Sequence, residues 1–288
     1  MEVSREEGNI RLQGMAKQFA LAETLDCGQA FRWKQHPDGI WEGAAGSRAL
    51  SLCCQGDDIL LLGVSPEDWP FWRNYFDLDR DYAALEVLFR KNPVLRRALD
   101  FCPGIRILRQ DPWETLCTFI LSANNNIPRI KGIVERLCTG WGNPIPGSTL
   151  CSFPAPEVLA ALSPGDLAPI RAGWREAYIL DAARRVAEGQ LDLGAVAKMP
   201  TPEAREALME VRGVGVKVAQ CILLFGFGRT ECVPVDVWIR RVLQELYPRG
   251  MPRYLLPWAG IAQQTLFHWA RCCPEALEKS TAGTGSRG

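Results

Sequence analysis

Between Glu210 and Val237 the chain reads EVRGVGVKVAQCILLFGFGRTECVPVDV, two helical stretches joined by a glycine hairpin. The first helix is expected to start with Thr201 as N-cap, Pro202 in the first helical position and Glu203 in the first turn. It should stop at Arg212, because Gly213 and Gly215 permit backbone angles and close approaches that side chains block. A second, strongly apolar helix follows over about Val216–Phe225. The N–H groups of its first turn have no intrahelical partners and form a seat for a phosphate. Gly-x-Gly alone does not decide the matter, since many helix C-caps share it. Its companions do.

Lys217 stands in the opening turn of that second helix, and Asp236 stands where a third begins. A helix of this length rises about 15 Å, and the segment from Gly226 to Val235 reaches up to about 33 Å when extended. Asp236 can therefore return beside Lys217. Pro234, between β-branched Val233 and Val235, favours an extended return, and Asp236 then caps VWIRRVLQELY. An ammonium at a helix N-terminus is disfavoured, and burial disfavours it further, so Lys217 is suited to act as a neutral nucleophilic amine. The capped carboxylate is conversely held ionised. A purely structural Lys–Asp ion pair would use the same residues.

Together, VRGVGVKVA and VPVD resemble the helix–hairpin–helix DNA glycosylases, specifically the 8-oxoguanine glycosylase/AP lyases. The resemblance implies that hairpin amides around Gly213 and Gly215 hold a DNA phosphate and that Lys217 and Asp236 are catalytic. Further motifs follow in family order, covering roughly Phe19 to Trp269. GQAFRW at Gly28–Trp33 resembles the family segment in which the glycine carbonyl accepts the ring N–H that guanine gains on oxidation. Undamaged guanine presents a lone pair there, so Gly28 is the candidate for damage discrimination. SANNNIPRI implies that Asn124 fills the hole left by the extruded base and that Arg129 reads the orphaned cytosine. GWREAY resembles G-Y-R-x-x-Y, with Trp174 as the wedge and Arg175 at the same cytosine. WAGIAQQTLF resembles the terminal helix, where Gln263 would bond the Watson–Crick edge of the flipped base and Phe267 would stack on its face. Cys221 would place sulfur on the other face, and Pro234 completes the base-binding set. Two positions depart from the pattern: Trp174 replaces tyrosine, and Trp238 stands where the family often has histidine. Taken singly, each of these segments is also compatible with ordinary turns, core helices or solvated faces.

The 288-residue chain suits one large or two modest domains. Lys and Arg total 33 and Asp and Glu total 33, a balance unlike that of a bulk nucleic-acid binder but compatible with a short basic footprint. Eleven cysteines contain no Cys-x-x-Cys and no four-cysteine iron–sulfur spacing, and only His36 and His268 occur. We therefore expect no iron–sulfur cluster, no redox or organic cofactor, and no metal beyond a structural ion that hairpin carbonyls would accommodate. With no secretory signal and no apolar run of about 20 residues, the expected setting is reducing and intracellular, on DNA, with a monomeric chain and no membrane.

Residues 1–105 are expected to form an N-terminal antiparallel sheet domain. Its strands are read at Ala30–Trp33, Ile40–Gly43, Ala49–Cys54 and Ile59–Val64, separated by turn chemistry. A helix opening at Ser65 carries the core stripe Phe71, Trp72, Tyr75 and Phe76. Residues 106–278 are expected to form a two-part all-α glycosylase domain, with Asp111 and Pro112 starting one helix and Ser163-Pro164-Gly165-Asp166 opening another. A disordered tail is expected over 279–288. The fold class is α+β. The expected function is a bifunctional glycosylase excising 8-oxoguanine, preferably opposite cytosine, from double-stranded DNA. A glycosylase for another damaged base would use only the aspartate in its hydrolytic form, and a non-catalytic hairpin module would lack the Lys–Asp pair.

Overall fold

The computed structural model describes residues 2–6 and 8–280, apart from the side chains of 278–280. Strands β1 (Glu2–Glu6) and β2 (Asn9–Gln13) precede a short helix α1 (Leu21–Leu25). Strands β3 (Trp33–Gln35), β4 (Trp41–Ala45), β5 (Arg48–Gln55) and β6 (Asp58–Leu62) follow. They form one antiparallel sheet in the order β1-β2-β6-β5-β4-β3. The four expected strands are its meander, and β1 and β2 extend it. In β2 the alternation of NIRLQ buries Ile10 and Leu12 opposite Leu61 and Ile59, whereas β1 is a mostly exposed polar edge.

The strand expected at Ala30–Trp33 begins only at Trp33. Irregular backbone precedes it because Gln29 is fully buried and spends its side chain on other segments. Its Nε2 donates to the carbonyls of Thr24 (2.9 Å) and Arg106 (2.7 Å), and its Oε1 accepts from the Leu108 N–H (2.9 Å). Helix α2 (Trp69–Tyr75) lays Trp72, Tyr75 and Phe76 on the sheet as the stripe predicted. Trp33 meets this layer, donating from Nε1 to the Tyr75 hydroxyl at 2.9 Å. Gly43 makes room for the indole: a Cβ there would lie 2.4 Å from it.

Helices α3 (Tyr82–Phe89) and α4 (Pro93–Phe101) lie N-terminal to residue 105, yet Leu85, Phe89, Leu95 and Leu99 pack in the helical core. That core is built around α5 (Pro112–Ser122), buried on every side from Trp113 to Leu121. Asp111 caps it as expected, accepting from the Glu114 N–H at 2.8 Å. The chain continues through α6 (Ile127–Trp141), α7 (Pro156–Ala160) and α8 (Arg175–Ala187). The helix expected from Ser163 does not form: Asp166 accepts from the Ser163 N–H and hydroxyl, and only turns and a 3-10 turn at Ala168–Ile170 follow. Then come α9 (Leu193–Lys198), α10 (Thr201–Met209), α11 (Val216–Phe225), α12 (Val237–Leu246) and α13 (Ala259–Cys272).

Helix α10 differs from expectation at both ends. Pro200 is its N-cap, and Thr201 is already helical, with its hydroxyl engaged by Glu231 and Arg229. The helix closes at Met209 rather than Arg212, so the hairpin turn is longer than the glycines alone suggested. After α13 a 3-10 turn spans Pro274–Ser280; the expected tail otherwise falls outside the described residues.

Candidate active site

The hairpin is held by two separate demands on Gly213. Its φ is +89°, a left-handed value that favours glycine, and a Cβ would lie 2.4 Å from the Tyr178 ring. Gly215 is the extended N-cap of α11, and the first ladder bond runs from Ala219 N–H to Gly215 C=O. Amides ahead of it therefore have no intrahelical acceptor, and Val216 beside them is 56% exposed. This is an open, electropositive helix end able to take an anion.

The segment after α11 is fastened along its length. Gln220 Oε1 accepts from Val233 N–H (3.2 Å), and Arg229 reaches carbonyls at the end of α9, including Met199 at 2.6 Å. Thr230 C=O accepts from Gly260 N–H at 2.7 Å, an approach that leaves no space for a side chain on residue 260. Asp236 is thereby delivered to the start of α12, where its Oδ1 accepts from Ile239 N–H at 2.8 Å.

Gly28, Lys217, Cys221, Pro234, Asp236, Gln263 and Phe267 all line one pocket of about 60 Å³. The Lys217 ammonium lies 5.5 Å from the centroid of Phe119. Among the described residues it makes no ion pair within 4.0 Å, so the carboxylate and the amine face one cavity without neutralising each other at contact. Burial pushes the Cys221 thiol up to about 11 although Lys217 beside it pulls the other way, so the sulfur is a neutral, polarisable wall. Gln263 is almost fully buried, and its Oε1 has no hydrogen-bond partner. A buried amide oxygen left unpaired costs about 1–3 kcal/mol, which a ligand N–H would recover. Gly28 has φ +87°, and a Cβ there would sit 3.1 Å from Ile127 Cδ1. Among the described residues nothing donates to its carbonyl.

A second group lies on one rim. Asn124 is exposed with φ +49°, Arg129 is exposed, and Trp174 is 52% exposed, its ring edge-on to Tyr178. Tyr178 is the residue against Gly213, so the Trp174 turn and the hairpin share a contact. Arg175 is placed otherwise than its neighbours. It is buried, and its guanidinium donates to the carbonyls of Ala123 (2.6 Å), Asn124 (2.9 Å) and Ala172 (3.3 Å). Burial, and then the nearby Arg129 charge, pull its pKa down. In this conformation Arg175 holds the Asn124 turn, and Arg129 is the rim guanidinium without such contacts.

This arrangement can be compared with known proteins. Residues 11–116 match the model of the 8-oxoguanine DNA glycosylase N-terminal domain, and residues 117–251 match that of the HhH-GPD superfamily of base excision DNA repair proteins. The N-glycosylase/DNA lyase of Saccharomyces cerevisiae is 39% identical over 80% of this chain and 69% of its own length. The chain belongs to the 8-oxoguanine DNA glycosylase family. A probable N-glycosylase/DNA lyase of Methanothermobacter thermautotrophicus is 36% identical over 60% of this chain, with the match spanning 61% of that relative's length. A Clostridium acetobutylicum 8-oxoguanine glycosylase/lyase, solved with double-stranded DNA containing cytosine opposite 8-oxoG, is 31% identical. The two superpose with a TM-score of 0.87 over 95% of this chain and 99% of that one.

Sequence reasoning passed over several residues that line this pocket or brace the segment beside it. Phe119 and Phe225 stack at 5.4 Å and wall the pocket, but in apolar helices they read as core. Gln264 also lines it, with Nε2 2.7 Å from Cys27 Sγ. Gln29, inside the GQAFRW motif, was the one with a signal: a glutamine in an otherwise apolar run needs buried partners.

Proposed function

We propose that this chain excises 8-oxoguanine from duplex DNA and then cleaves the strand at the abasic sugar. The observation that carries the reading is the convergence of Lys217, Asp236, the unpartnered Gln263 amide and the Gly28 turn on one cavity. Space for about 60 Å³ holds only a few waters, so a purine enters by widening the pocket, and Phe267 is its half-buried wall.

The target nucleotide leaves the stack, since its anomeric carbon is shielded inside the duplex. The Lys217 amine attacks C1′, the C1′–N9 bond breaks, and its electron pair leaves with the base, which takes up the proton that the amine gives up. Asp236 stabilises the positive charge that develops on the sugar, a task for a fixed carboxylate. Ring opening leaves a C1′ imine on Lys217. Loss of a C2′ proton then expels the 3′ phosphate by β-elimination, and water releases the amine. The hairpin amides anchor a backbone phosphate. Gly28 C=O accepts the N7–H found only in the oxidised base, and Gln263 faces its Watson–Crick edge. Arg129, joined by Arg175 once DNA draws it from the Asn124 turn, reads the orphaned cytosine, and Trp174 holds the duplex open.

Borohydride reduction of the imine tests the reading on duplexes carrying 8-oxoguanine opposite each normal base. A trapped adduct with wild type, best opposite cytosine and absent in Lys217→Gln with duplex binding retained, is the expected result. An adduct that persists in Lys217→Gln places the nucleophile elsewhere.

A further inference from the structure

Apart from the residues that line the base pocket, three side chains from different elements converge: Glu23 of α1, Cys102 just beyond α4, and His268 of α13. One ligand atom of each lies within 4.8 Å of the others. His268 is 9% exposed, and its Nδ1 is buried without any hydrogen-bond partner, while Nε2 is 3.9 Å from Cys272 Sγ. A buried ring nitrogen left unpaired beside a thiol and a carboxylate calls for a ligand that the protein itself does not supply.

We propose that Glu23, Cys102 and His268 form a zinc-class metal site, with a water at the fourth position. The donor set is one imidazole, one thiolate and one carboxylate, which suits Zn²⁺ and disfavours the all-oxygen preference of Mg²⁺ or Ca²⁺. Bonds of about 2.0–2.3 Å place tetrahedral donors roughly 3.3–3.8 Å apart, so side-chain adjustments of about an ångström close the cage. Charge also balances, because a divalent ion meets the Glu23 carboxylate and the Cys102 thiolate. The thiol proton leaves to water, one per ion bound. An ion has a route in: Glu23 and Cys102 both line a solvent-open groove of about 620 Å³ between α1, the sheet and the end of α4.

The placement gives the ion a structural consequence. Leu21 and Leu25 seat α1 in the sheet cluster, whereas α4 and α13 belong to the helical one. A metal here clamps the two cores together. It also ties α1, which runs directly into Cys27 and Gly28, to the helix that carries Gln263 and Phe267. Opposite walls of the base pocket would then be held at a fixed spacing. Metal uptake does not rest on the proposed glycosylase reaction, and its test reads binding alone.

The test uses the full chain, reduced, stripped with chelator and dialysed. Zinc chloride is titrated against a chromophoric chelator, and Co²⁺ is substituted for spectroscopy. We expect one equivalent of zinc, a thiolate-to-cobalt band in the near ultraviolet, and visible d–d bands of tetrahedral strength. Loss of a ligand should weaken binding at least as much as the roughly 10–100-fold that supporting contacts to metal ligands cost. That loss is expected in Glu23→Gln, Cys102→Ser and His268→Gln, and not in Cys54→Ser, which alters an exposed thiol along the same groove. Should Cys102→Ser fail to fold, Glu23→Gln decides, since its half-buried carboxamide keeps the shape of the side chain. No stoichiometric uptake, uptake indifferent to Glu23→Gln, or uptake lost equally in Cys54→Ser would overturn the proposal.

Discussion

Replacing Gln29 by methionine keeps the volume of the side chain and removes its hydrogen bonding. The structure sets the cost. Thr24 C=O, Arg106 C=O and Leu108 N–H each lose a partner, at sites where Gln29 itself is wholly buried and water cannot substitute. An unpaired buried group costs about 1–3 kcal/mol, carbonyls toward the lower end, so the sum is about 3–5 kcal/mol. That is a large share of a stability of roughly 5–15 kcal/mol. The same bonds hold the backbone next to Gly28, whose carbonyl is proposed to sense the oxidised base. Gln29→Met should therefore also erode discrimination between 8-oxoguanine and guanine, about tenfold for each 1.4 kcal/mol lost. Urea unfolding at unchanged m gives the stability, and single-turnover excision on 8-oxoG·C and G·C duplexes gives the discrimination. A variant less than 1 kcal/mol destabilised that still rejects guanine would refute the reasoning on both counts.

Gly213→Ala should lose about 1–2 kcal/mol to the left-handed backbone and a further 1–3 kcal/mol to the Tyr178 ring; in a Tyr178→Ala background only the first part should remain by urea unfolding, and an undiminished penalty would discount the contact. Asp236→Asn should keep its cap, since Asn and Asp cap comparably, and yet lose roughly 3–4 kcal/mol of transition-state stabilisation; normal excision by a normally stable variant would disprove its electrostatic role. Arg129→Ala should flatten the preference for cytosine over adenine opposite the lesion, a preference of about tenfold or more when charge-assisted bonds of roughly 1.5–3 kcal/mol are at stake. Excision rates on four duplexes measure it, and equal wild-type rates opposite cytosine and adenine would sink the assignment.

What was legible in the amino-acid order is what local chemistry decides. Asp111 and Asp236 announce helix starts because their short side chains reach amides three residues on, and both bonds are made. The bounds of α11 follow from glycines on either side of an apolar run. The meander follows from alternation between turn residues, and the aromatic stripe of α2 from helical spacing. Where two local options compete, a distant partner chose. Glu231 and Arg229 drew Thr201 out of the capping role. Strand β1 exposes most of its residues, so it buries too little to leave a pattern and exists by pairing with β2. Only the tertiary structure could bring Gly28 within one cavity of Gln263, or turn Phe119 and Phe225 from core into wall. Only it could commit the Arg175 donors to the Asn124 turn and leave Arg129 free. Each of these depends on segments far apart in the chain meeting in space, and no spacing along one segment encodes where the other will lie.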